Sequence, residues 1–304
     1  MTRVLCSMLL VVALAAAQAG EEQLITVNVD LVNIYFTVCN KRGRLIADLA
    51  RERFAVYEDD NPQVITNFSR ETDLPLTIAL LIDTSGSVRY KLGFEQEAAI
   101  EFLNSTLRHG MDQATVVTFD SSIDLRQDYT NERQLLATAV RRTRSGGGTR
   151  LYDALSFLLN GTLASRGGRR AIILLTDGDD NSSRSSPREV VEAAQRNNVA
   201  IYAVSVNSIG IRFDDSDRSD VTLEMLGTET GGKAFFPKGL KDLSAHFKAI
   251  SKELRSQYTI AYRSTNRKRD GTYRRIQIAV TDHHYSVRAR SGYYAPALVA
   301  AGRN

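Results

Sequence analysis

Cysteine is almost missing from this 304-residue chain, with Cys6 and Cys39 as the whole complement. Cys6 lies in an apolar N-terminal stretch expected to be removed, which leaves Cys39 alone and excludes an intrachain disulfide framework. Histidine is scarce as well, at four residues. Of these, His283 and His284 are adjacent, and neighbours along a strand point to opposite faces, so they make a poor chelating pair. A strong charge of either sign is also lacking, since 39 Lys and Arg stand against 35 Asp and Glu, net +4. Basic clusters at 141–144, 166–170 and 267–269 are scattered through this balanced chain. A nucleic-acid footprint wants one concentrated basic stripe, so no nucleic-acid partner is expected. No Gly-x-x-x-x-Gly-Lys-Ser/Thr loop and no Gly-x-Ser-x-Gly elbow occurs, which argues against a P-loop nucleotidase and an elbow-type serine hydrolase.

Long hydrophobic runs are confined to the start. Residues 1–19 carry one Arg, an apolar centre and a closing Ala17-Gln18-Ala19, the pattern of a cleaved secretory signal peptide. Gly20-Glu21-Glu22 arrives too soon for a full membrane span. The expectation is an exported protein, periplasmic or secreted, with no membrane span after cleavage. Losing Arg3 with the signal leaves 38 basic against 35 acidic residues, net +3.

What is present is a pair of apolar runs that each end in a carboxylate. Ile78-Ala-Leu-Leu-Ile-Asp83 leads into Thr84-Ser85-Gly86-Ser87, and Ala171-Ile-Ile-Leu-Leu-Thr-Asp177 leads into Gly178. A short apolar run bounded by a turn signal reads as a strand buried on both faces. Asp83 and Asp177 are therefore expected at the C-terminal edge of a parallel sheet, where open α/β folds place their ligands. Between them, Gly146-Gly147-Gly148-Thr149 offers a flexible loop ending in a hydroxyl, just before a helix-like segment at 151–159. With only Ser, Thr and Asp oxygens on offer, the set suits Mg²⁺, Ca²⁺ or Mn²⁺ rather than zinc or copper. Two carboxylates and three hydroxyls do not saturate an octahedral ion, so waters or an incoming acidic ligand must complete its shell.

That combination resembles the metal-ion-dependent adhesion site of von Willebrand factor type A domains. The family's Asp-x-Ser-x-Ser falls on Asp83, Ser85 and Ser87, its loop threonine on Thr149 after Gly148, and its later aspartate on Asp177. The resemblance implies a bound Mg²⁺, with Mn²⁺ or Ca²⁺ as alternatives, that accepts an Asp or Glu side chain of a protein partner. Asp179 and Asp180, beside Asp177, either tune such a site by orienting its ligands or are solvated loop charges.

Around the motif, strands at 76–82, 115–119, 171–176, 200–206 and 233–236, with an edge piece near 124–129, alternate with helices. The helices are expected at 91–107, 132–142, 152–159, 187–196, 222–228 and 240–255, and the Asp-rich 207–221 as a solvated loop. Residues 23–72 and 257–294 instead carry short β-branched and aromatic runs, with Asp59-Asp60-Asn61-Pro62 and Asp270-Gly271 as turns. Neither flank alone buries enough apolar surface to stand by itself. The expected fold class is α/β, a doubly wound, mostly parallel six-stranded sheet inserted in a small all-β sandwich formed by the N- and C-terminal flanks. The expected order is signal 1–19, β segment 20–73, von Willebrand type A domain 74–256, β segment 257–295 pairing with 20–73, and tail 296–304.

With Gly43, Phe54-x-Val-Tyr-Glu-Asp-Asp60, Tyr258 and Gly292-Tyr-Tyr-Ala-Pro296 in the flanks, the layout resembles the von Willebrand A-domain-related proteins of acidobacteria. That resemblance implies export and names no partner. An Asp ending a buried strand is also the nucleophile of haloacid-dehalogenase-type phosphatases, which need a second Asp two residues on. Ser85 stands there, and a hydroxyl's pKa is too far from neutrality for that acid/base role. A non-enzymatic, metal-dependent protein-binding or adhesion module is the reading. The alternatives are an envelope assembly scaffold with a metal-free or structural A-type domain and, beyond it, a metal-dependent phosphohydrolase.

Overall fold

The computed structural model describes residues 31–71, 74–207 and 216–297. The signal segment 1–19 and the 208–215 part of the expected loop lie outside the described residues.

Alternating apolar residues shape the N-terminal flank into β1 (Leu31–Asn40), β2 (Phe54–Glu58), β3 (Asn61–Gln63) and β4 (Ile65–Glu71). In β1, Val32, Ile34, Phe36 and Val38 all turn to the same buried face, as a period of two requires. Asp59 and Asp60 have φ of 47° and 65°, the left-handed pair that a two-residue hairpin needs between β2 and β3. The sequence pattern placed Asn61 and Pro62 in this turn, whereas both are in β3. Proline is tolerated there because β3 is a sheet edge, where one ladder N–H can be missing.

The central segment runs β5 (Leu76–Asp83), α1 (Leu92–Thr106), β6 (Gln113–Phe119), β7 (Ile123–Thr130), α2 (Arg133–Arg141) and α3 (Leu151–Asn160). It continues with β8 (Arg169–Thr176), α4 (Pro187–Arg196), β9 (Val199–Ser205), α5 (Ser216–Thr230), β10 (Lys233–Phe235) and α6 (Leu240–Leu254). Six strands pair in the order β10-β9-β8-β5-β6-β7, all parallel except the edge strand β7. Helices α1, α2 and α6 pack on one face and α3, α4 and α5 on the other, so all eight residues of β5 are buried. Helix α4 starts where Ser186, Pro187 and Glu189 predict, with the Ser186 and Glu189 side chains closing a reciprocal capping box. Helix α5 begins at Ser216, earlier than the expected 222, so the C-terminal part of the Asp-rich stretch is helical. Asp220 accepts a hydrogen bond from Ser205 Oγ (2.9 Å), and acidic residues near a helix start are favoured by its dipole.

The C-terminal flank supplies β11 (Gln257–Arg263), β12 (Tyr273–Val280), β13 (Tyr285–Ala289) and β14 (Gly292–Tyr294). Two antiparallel sheets result, β13-β1-β11-β4 and β14-β12-β2-β3, each mixing strands from both ends of the chain. Phe36 faces Tyr258 across the β1–β11 ladder, their rings stacked at 5.2 Å. Between the sheets, the buried Glu58 accepts hydrogen bonds from Tyr262 (2.8 Å), Tyr293 (2.9 Å) and Ser264 (2.6 Å), with Arg274 at 3.4 Å.

Asp112, after α1, ties the start of β5 to the end of α6. Its carboxylate accepts from Leu76 N–H (2.9 Å), from Arg108 N–H (2.7 Å) and from the Arg255 guanidinium. Burial pushes this carboxyl up, but the hydrogen bonds from Arg108 and Arg255 outweigh it and hold it down at about 2. Asp112→Asn is therefore expected to lower stability by roughly 3 kcal/mol near neutrality, because one partner of a buried ion pair is lost. A depressed carboxyl stabilises the folded state above its unfolded value and loses that effect as pH falls. The gap between parent and variant should thus narrow as pH falls from near 4 towards 2. Urea unfolding at several pH values checks this, and a variant as stable as its parent at neutral pH would contradict it.

Candidate metal centre

In the central sheet the chain leaves β5 towards β6 on one side, then returns across it to β8 on the other. A crevice is left at the C-terminal ends of β5 and β8, the place where successive connections diverge to opposite faces. Asp83 is the last residue of β5 and Asp177 follows β8 directly. Both are buried, Asp83 fully and Asp177 at 4% exposure. Thr176 Oγ1 donates to Asp83 Oδ2 at 2.7 Å, joining the two strand ends, while Ser85 N–H donates to Asp83 Oδ1 at 2.8 Å. Ser85 Oγ lies 2.9 Å from Ser87 Oγ; Ser85 is buried and Ser87 exposed, so the donors run from the interior to the surface.

The glycine loop joins this group through the backbone. Gly146 N–H donates to Thr84 O (2.7 Å) and Gly86 N–H to Gly147 O (3.2 Å), which locks the two loops together. Gly147 sits at φ 80°, and a Cβ there would meet Ser121 Oγ at 2.8 Å, so the position needs glycine on both counts. Gly148 N–H donates to Ser121 Oγ (2.7 Å) and Thr149 N–H to Asn181 Oδ1 (3.0 Å). Thr149 itself is buried at 3% exposure.

Asp179 and Asp180 have separate partners. Asp179 is exposed and accepts from Ser219 Oγ on α5, while its own N–H donates to Asp177 Oδ1 at 3.3 Å. Asp180 accepts from Tyr152 N–H (3.1 Å) at the start of α3 and from Ser183 N–H (3.0 Å). It thus serves one of the orphan donors of that helix start and shapes its own loop.

The electrostatics are unusual for a protein interior. Among the described residues neither Asp83 nor Asp177 forms an ion pair. Burial, then the facing Asp177, pushes the Asp83 carboxyl up to about 7, against the hydrogen bonds from Thr176 and Ser85. Asp177 is also raised, by burial first, against a hydrogen bond from Ser87. A third carboxylate, Glu95 on α1, is fully buried and has no hydrogen-bond partner on either oxygen among the described residues. Burial and then Asp83 push it well up, with Lys91 opposing. The sequence reading did not single out Glu95. The available signal was its register, since with Leu92, Ala99 and Phe102 it falls on the buried face of α1.

Buried carboxylates that repel one another and form no ion pair among the described residues are what a divalent cation relieves. The oxygen-only donors fit a hard ion, and among the described residues no group of three or more His, Cys, Asp or Glu gathers as an alternative metal cluster. The chemistry of the residues thus fits the implied cation.

Comparison with known proteins identifies the fold that carries this crevice. The sequence matches the von Willebrand factor type A domain family over residues 77–253. Calcium-activated chloride channel regulator 1 from Bos taurus is 26% identical over 239 residues, covering 74% of this chain and 25% of that protein. The chain therefore spans about a quarter of that relative's length. Proximal thread matrix protein 1 from the mussel byssus is similar in fold, with a TM-score of 0.52 and 17% identity over 65% of this chain and 51% of its own. A form of it was solved with zinc in its metal-ion-dependent adhesion motif (TM-score 0.51, 17% identity, 65% of this chain and 49% of its own). The von Willebrand domain of the pilus tip protein Mfa5 from Porphyromonas gingivalis gives a TM-score of 0.50 at 12% identity, over 60% of this chain and 96% of its own. With the family matched across more than half of its length, on a sheet of the same class, this chain belongs to the von Willebrand factor type A domain family.

Proposed function

We propose that Asp83, Ser85, Ser87, Thr149 and Asp177 hold one divalent cation, Mg²⁺ in the first place and Mn²⁺ or Ca²⁺ as alternatives, and that the protein uses it to bind an acidic protein partner. The observation that carries this reading is the unpaired, buried Asp83–Asp177 couple at the sheet crevice, with hydroxyls leading from it to the surface. When bound, the cation supplies an electrophilic position that takes a carboxylate oxygen from the partner. Few direct carboxylates keep that position electrophilic.

The chain's own residues do the positioning. Thr176 and the Ser85 N–H hold Asp83 in one rotamer, and the Ser85–Ser87 contact aligns two hydroxyls towards the surface. The paired glycine loops hold Thr149 in place. The proposed role is non-enzymatic adhesion or assembly outside the cytoplasm. Export is inferred from residues 1–19; among the described residues no helix is long and apolar enough to cross a membrane.

Immobilised protein should retain a partner from an envelope or culture extract with Mg²⁺ present and release it on adding EDTA. Asp177→Ala should retain nothing in either condition. Retention that ignores EDTA, or that is equal in the variant, would overturn the metal-bridged mode.

A further inference from the structure

At the opposite edge of the central sheet lies a small, partly open cavity away from the metal site. It sits where the starts of β5, β8 and β9 meet the β flanks, and it measures about 20 Å³. Three arginines line it, Arg169 and Arg170 from β8 and Arg290 from just after β13, and no Asp or Glu does. Tyr35, Asn198 and Gln257 add neutral polar groups, while Leu76 and Ala200 close the apolar wall.

The charge balance is the point. Arg290 is 8% exposed, and among the described residues its guanidinium donates to backbone carbonyls, Gln195 O at 2.7 Å and Asn33 O at 3.0 Å, with the Tyr293 ring centre 5.7 Å away. Arg170 donates to Ala164 O at 2.7 Å, and Arg169 to Leu254 O at the end of α6. The Nε atoms of Arg170 and Arg290 are buried with no partner among the described residues. Burial, with a smaller effect from the charge of Arg170, lowers Arg290 to about 10 against the opposing influence of Tyr262, Tyr293 and Tyr273. Guanidinium groups keep their protons near neutrality, so these like charges persist. For Arg170 and Arg290, carbonyl dipoles supply hydrogen bonds but no negative charge, and buried charge without a counter-charge is strongly unfavourable.

We propose that this cavity is a binding site for a single monatomic anion, a halide such as chloride, held by Arg170 and Arg290 between the central sheet and the β flanks. The size selects the occupant. A cavity of this volume admits one water-sized body and is too small for sulfate, phosphate or a peptide carboxylate. A halide would offset part of the arginines' charge where chain segments from β1, β8, β11 and the end of β13 converge, and so would fasten the flanks to the sheet.

Two measurements on the full chain decide it. Thermal unfolding in sodium chloride or bromide is compared with sodium gluconate at equal ionic strength. The expected result is a melting temperature higher by roughly 5 °C at saturating halide, with a saturable dependence on concentration. Arg170→Gln, at a half-buried position, should fold and lose the halide response. An equal melting temperature in halide and gluconate, or an undiminished response in Arg170→Gln, would overturn the proposal. Should Arg170→Gln fail to fold, the parent protein still tests the site. Crystals soaked in bromide should show an anomalous peak in the cavity, and an ordered water there in its place would overturn the assignment.

Discussion

Asp83→Asn is expected to abolish divalent-cation binding and, without metal at about pH 8, to make the protein more stable than its parent. Both effects come from one carboxylate. In the metal-free parent its pKa is raised from 3.8 to about 7 by burial and then by Asp177. A group whose folded pKa lies above its unfolded value binds protons more tightly when folded. Its favourable effect is complete below the unfolded value and is lost as pH rises through the folded one. Parent stability should therefore fall between about pH 4 and pH 7, by up to roughly 4 kcal/mol for this group. Asparagine does not titrate there. It forfeits part of the Thr176 and Ser85 hydrogen bonding, so a net gain of about 2 kcal/mol at the alkaline end is the reasonable expectation. Removing one of two carboxylates should weaken cation binding by at least about 100-fold, beyond the effect of losing an outer partner. Denaturant unfolding of metal-free parent and variant across this pH range tests the stability half. A variant less stable than the parent at the alkaline end would mean that Asp83 is a structural anchor instead of a strained ligand.

Truncation after Ser256 is expected to unfold the N-terminal β flank while leaving the central sheet folded. Strand β1 has β11 and β13 as its neighbours, β4 has β11, and β2 keeps only the three-residue β3 once β12 is gone. Two-stranded remnants are marginal in water. The apolar partners Tyr258, Ile260, Ile276, Ile278 and Tyr293 leave with the cut, which opens the core around Phe36 and Phe54. Backbone amides of residues 31–71 should then exchange at near-unfolded rates, whereas those of β5, β6, β8 and β9 stay protected. The loss of Arg288 also removes the ion pair to Glu253, so α6 should loosen at its end. Unchanged protection of residues 31–71 would show that the flank folds without its C-terminal half.

The parts of the molecule that were legible in the sequence are those fixed by local pattern. The eight-residue β5 and β8 announce themselves as apolar runs, and each run points its terminal carboxylate at the same edge. Helix α4 is marked by Ser186, Pro187 and Glu189, whose capping geometry is local. What could not be read depends on which distant segments touch. The bonds from Gly86 to Gly147 and from Gly146 to Thr84 join loops some sixty residues apart, and nothing in either loop specifies the other. Glu95 carries only the weak signal of its register, because its burial depends on the tertiary face that α1 presents. Arg170 and Arg290 come together only because the last strands fold back against the sheet start, so two ordinary basic residues come to line one cavity. The start of α5 lies earlier than its local pattern predicts for a related reason. Asp and Ser weaken a helix interior in isolation, but Asp220 is anchored by Ser205 from the neighbouring strand β9.

The most direct measurement is calorimetric titration of Mg²⁺ and Mn²⁺ into the EDTA-stripped protein at about pH 8 and about pH 6, beside Asp83→Asn and Asp177→Ala. A cation held by Asp83 and Asp177 must displace the proton that Asp83 retains below a pKa of about 7. Binding to a single site at the higher pH is therefore predicted, weaker at the lower pH and with proton release there, seen as a heat that changes with the buffer. Both variants, folded by circular dichroism, should show none. Absence of binding by the parent at either pH, or binding that survives in both variants, would contradict a metal centre at this crevice.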